Sequence, residues 1–298
     1  MDQADECPLP IILCVNDTTL MKNPRAKQPV GVFDSGIGGI SVLAEIIKML
    51  PNEEFVYFAD TFNAPYGIKP ENEVRSLSLK AADLLSFVGI KSLVIACNTA
   101  TSVAINEMRR MYAFPVIGME PAIKPAVEMR LKGKILVMAT PVTLKSNKYI
   151  SLVNRYKNQA EIVSLPCIGL VEIIEQGYTH GREIEEYLSR LFSPVIKDDI
   201  SIVVLGCTHY VLIKKEIVKM AQNGIIVIDG NYGTAKQLKT ILQNERLLNS
   251  TIMEKPQTPL KANVQFYISG NEREVITKCK QLLQNEGIVC EEKFSRCN

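Results

Sequence analysis

From residue 30 onward, short unbroken apolar runs alternate with longer stretches whose apolar residues recur at helical spacing. A short apolar run bounded by turn residues suits a strand buried on both faces. The longer period marks one face of a helix. The pattern predicts strands at 30–33, 55–59, 92–96 and 115–118. Between them it predicts a helix carrying Val42, Ile46, Ile47 and Leu50, and helices over 71–88 and 101–112. A second set of strands is expected at 134–138, 160–163, 202–205 and 225–228, again separated by helical stretches. The chain then offers a helix at 235–248, a strand at 264–268 and a helix at 271–286.

Strands that alternate with helices in this way build parallel, doubly wound sheets. Two sets imply two α/β domains. The expected division is 29–121 together with 231–298 as a discontinuous first domain, and 122–230 as the second. Residues 1–28, with several Pro, Asn and Asp, read as an irregular extension outside the fold. The two sets also share a short internal echo: Val94-Ile95-Ala96-Cys97-Asn98-Thr99 against Val204-Leu205-Gly206-Cys207-Thr208-His209. Each is a buried strand ending in a small residue, a cysteine and then polar side chains. A duplicated domain would present its two cysteines across one shared cleft.

Composition narrows the function. A net charge of +2 advertises neither nucleic acid nor an acidic membrane as a partner, and the chain has no Trp for base stacking. Eight cysteines without a C-x-x-C pair, and only two histidines, argue against a metal site. A chain with this much apolar material needs no disulfide framework, and free thiols suit a reducing compartment. The acidic residues Asp2, Asp5 and Glu6 precede an apolar run broken by Pro8 and Pro10, unlike a signal peptide, and no apolar stretch is long enough to span a bilayer. A cytoplasmic enzyme is the expectation.

Ligands of open parallel sheets bind beyond the carboxyl ends of the strands, and four polar constellations fall there. Asp34-Ser35-Gly36-Ile37-Gly38-Gly39 lets a backbone approach a ligand closely, but its spacing misses both the dinucleotide fingerprint and the P-loop. Asp34 fits a helix N-cap as well as it fits a partner for a substrate ammonium or a helper to a catalytic group. The run from Asp60 to Gly67 reads as a surface turn. Cys97 stands among Asn98, Thr99 and Thr101, and Cys207 beside Thr208 and His209. Helix N-termini and imidazolium groups stabilise thiolates, so both positions suit a reactive cysteine. A lone strand-end cysteine is usually a small hydrophobe, but two with matching surroundings are not explained that way. His209 either bonds nearby backbone or tunes Cys207. Glu175 reads as a solvated helical carboxylate, His180 as a surface residue, and the six other cysteines as bystanders.

At this point the residues resemble a known family. Gly31 to Gly39, Ala64-Pro65-Tyr66-Gly67, Ala96-Cys97-Asn98-Thr99-Ala100 and Gly206-Cys207-Thr208-His209-Tyr210 are similar, in order and spacing, to motifs of the glutamate racemases, over about residues 29–270. The resemblance implies two flavodoxin-like domains in pseudo-twofold relation, the active site in the cleft between them, and no pyridoxal phosphate or metal. It implies that Cys97 and Cys207 are the catalytic pair, assisted by Asp34, His209 and Glu175. It further implies that Asp34, Ser35, Tyr66, Gly67, Asn98, Thr99, Thr208 and His209 bind substrate. Glutamate as substrate, D-glutamate for peptidoglycan and a homodimer follow from the resemblance alone. The extension and the Gly118-Met119-Glu120-Pro121 turn depart from it.

In such an enzyme one thiolate removes the α-proton while a thiol on the opposite face donates another, and the roles exchange in reverse. The nearest alternative is an aspartate or broad-specificity racemase of the same family. A one-cysteine hydrolase or decarboxylase leaves the second motif unexplained. A non-enzymatic protein that binds an acidic metabolite predicts binding without exchange at Cα.

Overall fold

The structure, a computed structural model, describes residues 23–195, 199–221, 224–249 and 259–291. In chain order the first elements are β1 (Val30–Asp34), α1 (Ile40–Met49), β2 (Phe55–Ala59), α2 (Glu71–Val88), β3 (Ser92–Ile95), α3 (Asn98–Met111) and β4 (Val116–Gly118). There follow α4 (Ile123–Glu128), β5 (Lys134–Ala139), α5 (Pro141–Lys145), α6 (Asn147–Tyr156), β6 (Ile162–Pro166), α7 (Leu170–Glu175) and α8 (Arg182–Phe192). Next come β7 (Ile200–Leu205), α9 (Thr208–Leu212), α10 (Lys214–Met220) and β8 (Ile226–Asp229). The chain ends on α11 (Asn231–Asn244), β9 (Leu260–Ile268), α12 (Glu272–Asn285) and β10 (Ile288–Glu291).

The strands form two all-parallel sheets, ordered β10-β9-β2-β1-β3-β4 and β6-β5-β7-β8. In each, four consecutive strands lie in the same order: second, first, third, fourth. Central strands such as β1 and β3 are buried on both faces, which is why they read as unbroken apolar runs. Each sheet has a separate apolar cluster on either face. Val42, Ile46 and Leu238 belong to one side of the first sheet, and Val74, Leu85 and Met108 to the other. The second sheet is covered by Leu170, Ile184 and Leu188 on one face and by Ile123, Val127 and Tyr149 on the other.

After β8 the chain returns to the first sheet. β9 pairs with β2, Phe55 opposite Val264, and α11 packs in the same cluster as α1. The outgoing segment after β4 and the returning segment before α11 touch. A Cβ on Gly230 would stand 2.9 Å from the Glu120 carbonyl oxygen and 3.1 Å from Met119 Cε, so only glycine fits between them. Glu120, in the turn that departs from the expected form, pairs with Lys148 on α6 at 2.5 Å.

Several expected boundaries move, each for a local reason. α3 begins at Asn98 rather than 101 because Cys97 caps it, its sulfur accepting the Ala100 N–H at 3.4 Å. β6 starts at Ile162 rather than 160 because the N–H groups of Gln159 and Ala160 close the end of α6 onto Tyr156. α11 covers 231–244 rather than 235–248: Arg246 turns left-handed (φ 56°) and Leu247 folds back to donate to the Leu242 carbonyl. β10 is absent from the sequence reading. It is a short edge strand whose apolar run is only Ile288-Val289-Cys290, with Ile288 alone buried.

Part of the expected extension, 1–28, can be described. Residues 1–22 lie outside the described residues, but Pro24–Lys27 form a 3-10 turn whose Ala26 carbonyl accepts from Lys91 Nζ at 2.6 Å. Lys91, 0% exposed, is paired with Glu53, which also accepts the Asn249 N–H at 2.9 Å. Two further chain segments, at Ala26 and Asn249, thus converge on one buried ion pair. Removing one partner of such a pair leaves an uncompensated charge, so Lys91→Met should destabilise the protein by about 3–5 kcal/mol. The urea midpoint of unfolding checks this.

Candidate active site

With strands in this order, the connections after the first and third strands leave on opposite faces, opening a crevice beyond their carboxyl ends. In the first sheet those ends carry Asp34 and Cys97. In the second they carry Thr140 and Cys207. The two crevices face each other and exchange contacts: Thr208 Oγ1 donates to Asp34 Oδ2 at 3.0 Å, and Thr99 Oγ1 lies 3.0 Å from Thr140 Oγ1 and 3.2 Å from Thr143 Oγ1. Each cysteine-bearing loop therefore reaches the first-strand end of the opposite sheet.

Both cysteines enter this seam, 6% and 8% exposed. Cys97 lies 3.5 Å from Ser35 Oγ. Burial first, then the Asp34 carboxylate, pushes its thiol up to about 12 against the pull of Ser35 and the Ala100 N–H. It rests protonated. Cys207 has a different neighbourhood. Its sulfur is 3.8 Å from His209 Nδ1, and His209 Nε2 is 2.5 Å from Glu175 Oε1. Burial opposes a charge on His209, but its bonds to Cys207 and Glu175 outweigh that and hold it well above its ordinary range. Burial likewise opposes the Glu175 charge, and the bond to His209 overcomes it, so Glu175 is held low. An imidazolium–carboxylate pair stands behind Cys207. Glu175 is thus not a solvated helix carboxylate: its Oε1 also accepts the Ile37 N–H at 3.1 Å, across the seam.

Asp34 is fully buried and is not the N-cap of α1, a position taken by Gly39 without a side-chain bond. Its Oδ1 accepts the Gly36 N–H at 2.8 Å. Burial pushes it up from 3.8 to about 6, the His209 charge opposing. The glycine-rich loop serves close approach, and what approaches is the other sheet. A Cβ on Gly36 would collide with Glu175 Oε1, and one on Gly38 would stand 2.6 Å from Thr208 Oγ1.

The segment 60–67 is no surface turn. Asp60 and Tyr66 are buried, with Tyr66 Oη donating to Asp60 Oδ2 at 2.6 Å and its ring beside Phe33. Gly67 abuts Thr140 across the seam, and only the Phe62 tip is widely exposed. Asn98 donates to the Met119 carbonyl at 3.4 Å, while its Oδ1 is buried without a partner. His180 is exposed. Cys167 and Cys279 are buried and Cys290 half-buried, none of the three in a disulfide, and Cys7, Cys14 and Cys297 lie outside the described residues. Among the described residues no group of three or more His, Cys, Asp or Glu is gathered as a metal would require.

Sequence reasoning missed Thr140 and Thr143. Thr140-Pro141 is a helix-start signature directly after a strand, with Thr140 Oγ1 accepting the Thr143 N–H at 3.3 Å. Tyr57, which donates to the Gly36 carbonyl at 2.8 Å, was hidden inside an apolar strand.

Two parallel α/β units thus each bring a buried thiol, Cys97 and Cys207, to a common seam beside a carboxylate and an imidazolium. The chain belongs to the Asp/Glu/Hydantoin racemase family, whose model matches residues 30–238. It is 49% identical over 259 residues to a glutamate racemase of Clostridium novyi, covering 86% of this chain and 97% of that one. Among solved structures it is similar to the glutamate racemase of Francisella tularensis in complex with D-glutamate, at 30% identity and a TM-score of 0.75, over 89% of this chain and 97% of that one. A Picrophilus torridus aspartate racemase, 16% identical with a TM-score of 0.52 over 74% of this chain and 97% of that one, shares the fold.

A carboxyl whose proton is held more tightly in the folded state loses stability as pH rises from 3.8 through 6. The loss is at most about 3 kcal/mol and is complete above the upper value. Asp34→Asn removes it. The thermal midpoint of the variant should exceed that of the parent above about pH 6, with the gap closing toward about pH 4.

Proposed function

We propose that this amino-acid racemase interconverts L- and D-glutamate without a cofactor, Cys97 and Cys207 exchanging the roles of base and acid at Cα. The observation that carries the reading is the unlike pair of buried thiols in one seam, one protonated and the other facing an imidazolium. Residues 29–121 with 231–298, and 122–230, are the two jaws, and the contact of Gly230 with Glu120 is their crossing point.

The α-proton of an amino acid is hard to remove because the carbanion forms beside a carboxylate. A single base would return the proton to the face it left. Two thiols on opposite faces allow inversion: the sulfur near His209 has a countercharge 3.8 Å away while Cys97 holds a proton to deliver. After transfer the protonation is reversed, ready for the other enantiomer. Thr99, Thr140 and Thr143 cluster their hydroxyls where a carboxylate can accept from them, with Asn98 and Thr208 close by. Asp34 and Ser35 suit the ammonium side, with Tyr66 and Gly67 closing the site. Burial of every one of these groups supports a dry, preorganised environment in which such dipoles act strongly. Because the thiols are covered, the jaws must part to admit substrate.

Glutamate rather than aspartate is supported by the 49% identity to a glutamate racemase, where the aspartate racemase shares the fold. No helix among the described residues is long and apolar enough to cross a membrane. We place the enzyme in the cytoplasm as a homodimer supplying D-glutamate for peptidoglycan, as family membership suggests.

Purified protein given L-glutamate and no cofactor should lose optical activity, with aspartate turned over far more slowly. Equal rates on both would overturn the substrate assignment. Cys97→Ser and Cys207→Ser should each lower turnover by about 10²–10⁴-fold with the fold retained. A variant that keeps near-parental rates would sink the two-thiol scheme. In deuterated water, product formed in the first turnovers should carry deuterium at Cα.

A further inference from the structure

Tyr57 lies in the middle of β2, beside Val32 of β1, with its ring edge toward Phe266 at 6.1 Å. It is 0% exposed, and its hydroxyl donates to the Gly36 carbonyl at 2.8 Å. The nitrogen of that same peptide group belongs to Ile37, whose N–H is the donor to Glu175 Oε1 at 3.1 Å. In a planar trans peptide the C=O and N–H point in opposite directions. Holding the oxygen therefore aims the hydrogen. A donor on the oxygen also polarises the amide and strengthens its N–H as a donor. Because Gly36 has no side chain, Glu175 and His209 sit directly against this peptide.

We propose that Tyr57 is a positioning residue for the reaction: through the Gly36–Ile37 peptide it holds Glu175, which holds His209 against Cys207. The path runs from a strand of the first sheet to the thiol of the second. It deepens the two-thiol reading and rests on it. The phenol is a permanent donor, since burial first and then the Asp34 charge raise it well above its ordinary value. The titratable groups facing this path are Asp34 at the end of β1, Cys97 before α3, Glu175 on α7, Cys207 and His209 at α9, and Lys278 and Cys279 on α12.

A buried tyrosine with a satisfied hydroxyl is also an ordinary structural feature, so the test must separate the two roles. The chain has only two histidines, and His180 is exposed, so imidazole NMR resolves His209 with an internal reference. In folded Tyr57→Phe, the His209 titration should move to lower pH while His180 stays. The value of kcat/KM should fall on the order of tenfold. In a Glu175→Gln background, adding Tyr57→Phe should change kcat/KM by less than about twofold, since the path is already cut. An unmoved His209 titration, or the same loss with and without Glu175, overturns the proposal. Site-specific 3-fluorotyrosine at position 57, a stronger donor, covers failure of the phenylalanine variant to fold: it should shift the His209 titration while His180 stays, and no movement refutes the path. Glu175→Gln with unimpaired turnover would instead refute a part for Glu175 in the reaction, whatever Tyr57 does.

Discussion

A charge placed in a water-free interior survives only if an opposite charge is held to it by hydrogen bonds. His209 lives under that constraint, almost wholly buried between a thiol and a carboxylate. The carboxylate arrives from α7, and part of its own support comes from the backbone of the first sheet at Ile37. The loop that supplies this N–H must come closer than any side chain permits, which is why glycine stands at position 36. Asp34, the other buried acid, is pulled down by the same imidazolium that Glu175 supports. The electrostatics of the seam and the relative placement of the two sheets are one problem with one solution.

The two sheets solve the positional part of that problem in the same way. Equal strand order in both puts a first-strand end and a third-strand cysteine at each crevice mouth. Threonines following the cysteines then reach across, to Asp34 in one direction and to Thr140 in the other. These contacts, together with Glu120–Lys148 and Gly67 against Thr140, tie the halves together around the thiols rather than at a remote surface. Any separation of the two sheets would therefore break the bonds that surround the two thiols.

Local chemistry governed how much of this could be read in advance. α2 matched its expected limits because Pro70 precedes it and Gly89, left-handed at φ 87°, ends it, both punctuation marks within the chain itself. β2 matched because a doubly buried strand has no polar residue to blur it. The cysteines were legible through their repeated surroundings and through family motifs. Thr140 and Thr143 were not, since a Thr-Pro pair after a strand looks like any helix start until Thr99 is brought to it from 41 positions away. Glu175 and Asp60 looked like solvated acids for the same reason: their partners, His209 and Ile37 for one and Tyr66 for the other, are set by folding and not by neighbouring sequence, or lie in a loop whose burial only the fold decides. Edge elements such as β10 carry too few buried residues to announce themselves.

The matching crevices also bear on how such a protein can arise. Two copies of one ancestral unit, docked face to face, would offer identical mouths on either side of a twofold axis. A chiral molecule lying on that axis has an amine toward one mouth and acid groups toward the other, so identical mouths serve it poorly. In one chain each unit can differ from the other, and the first-strand ends do differ: an aspartate on one side, a threonine on the other. Mirror-image products ask for balanced opposite faces, while the compound's own lopsidedness asks for unlike ends, and two units within one chain leave room for both.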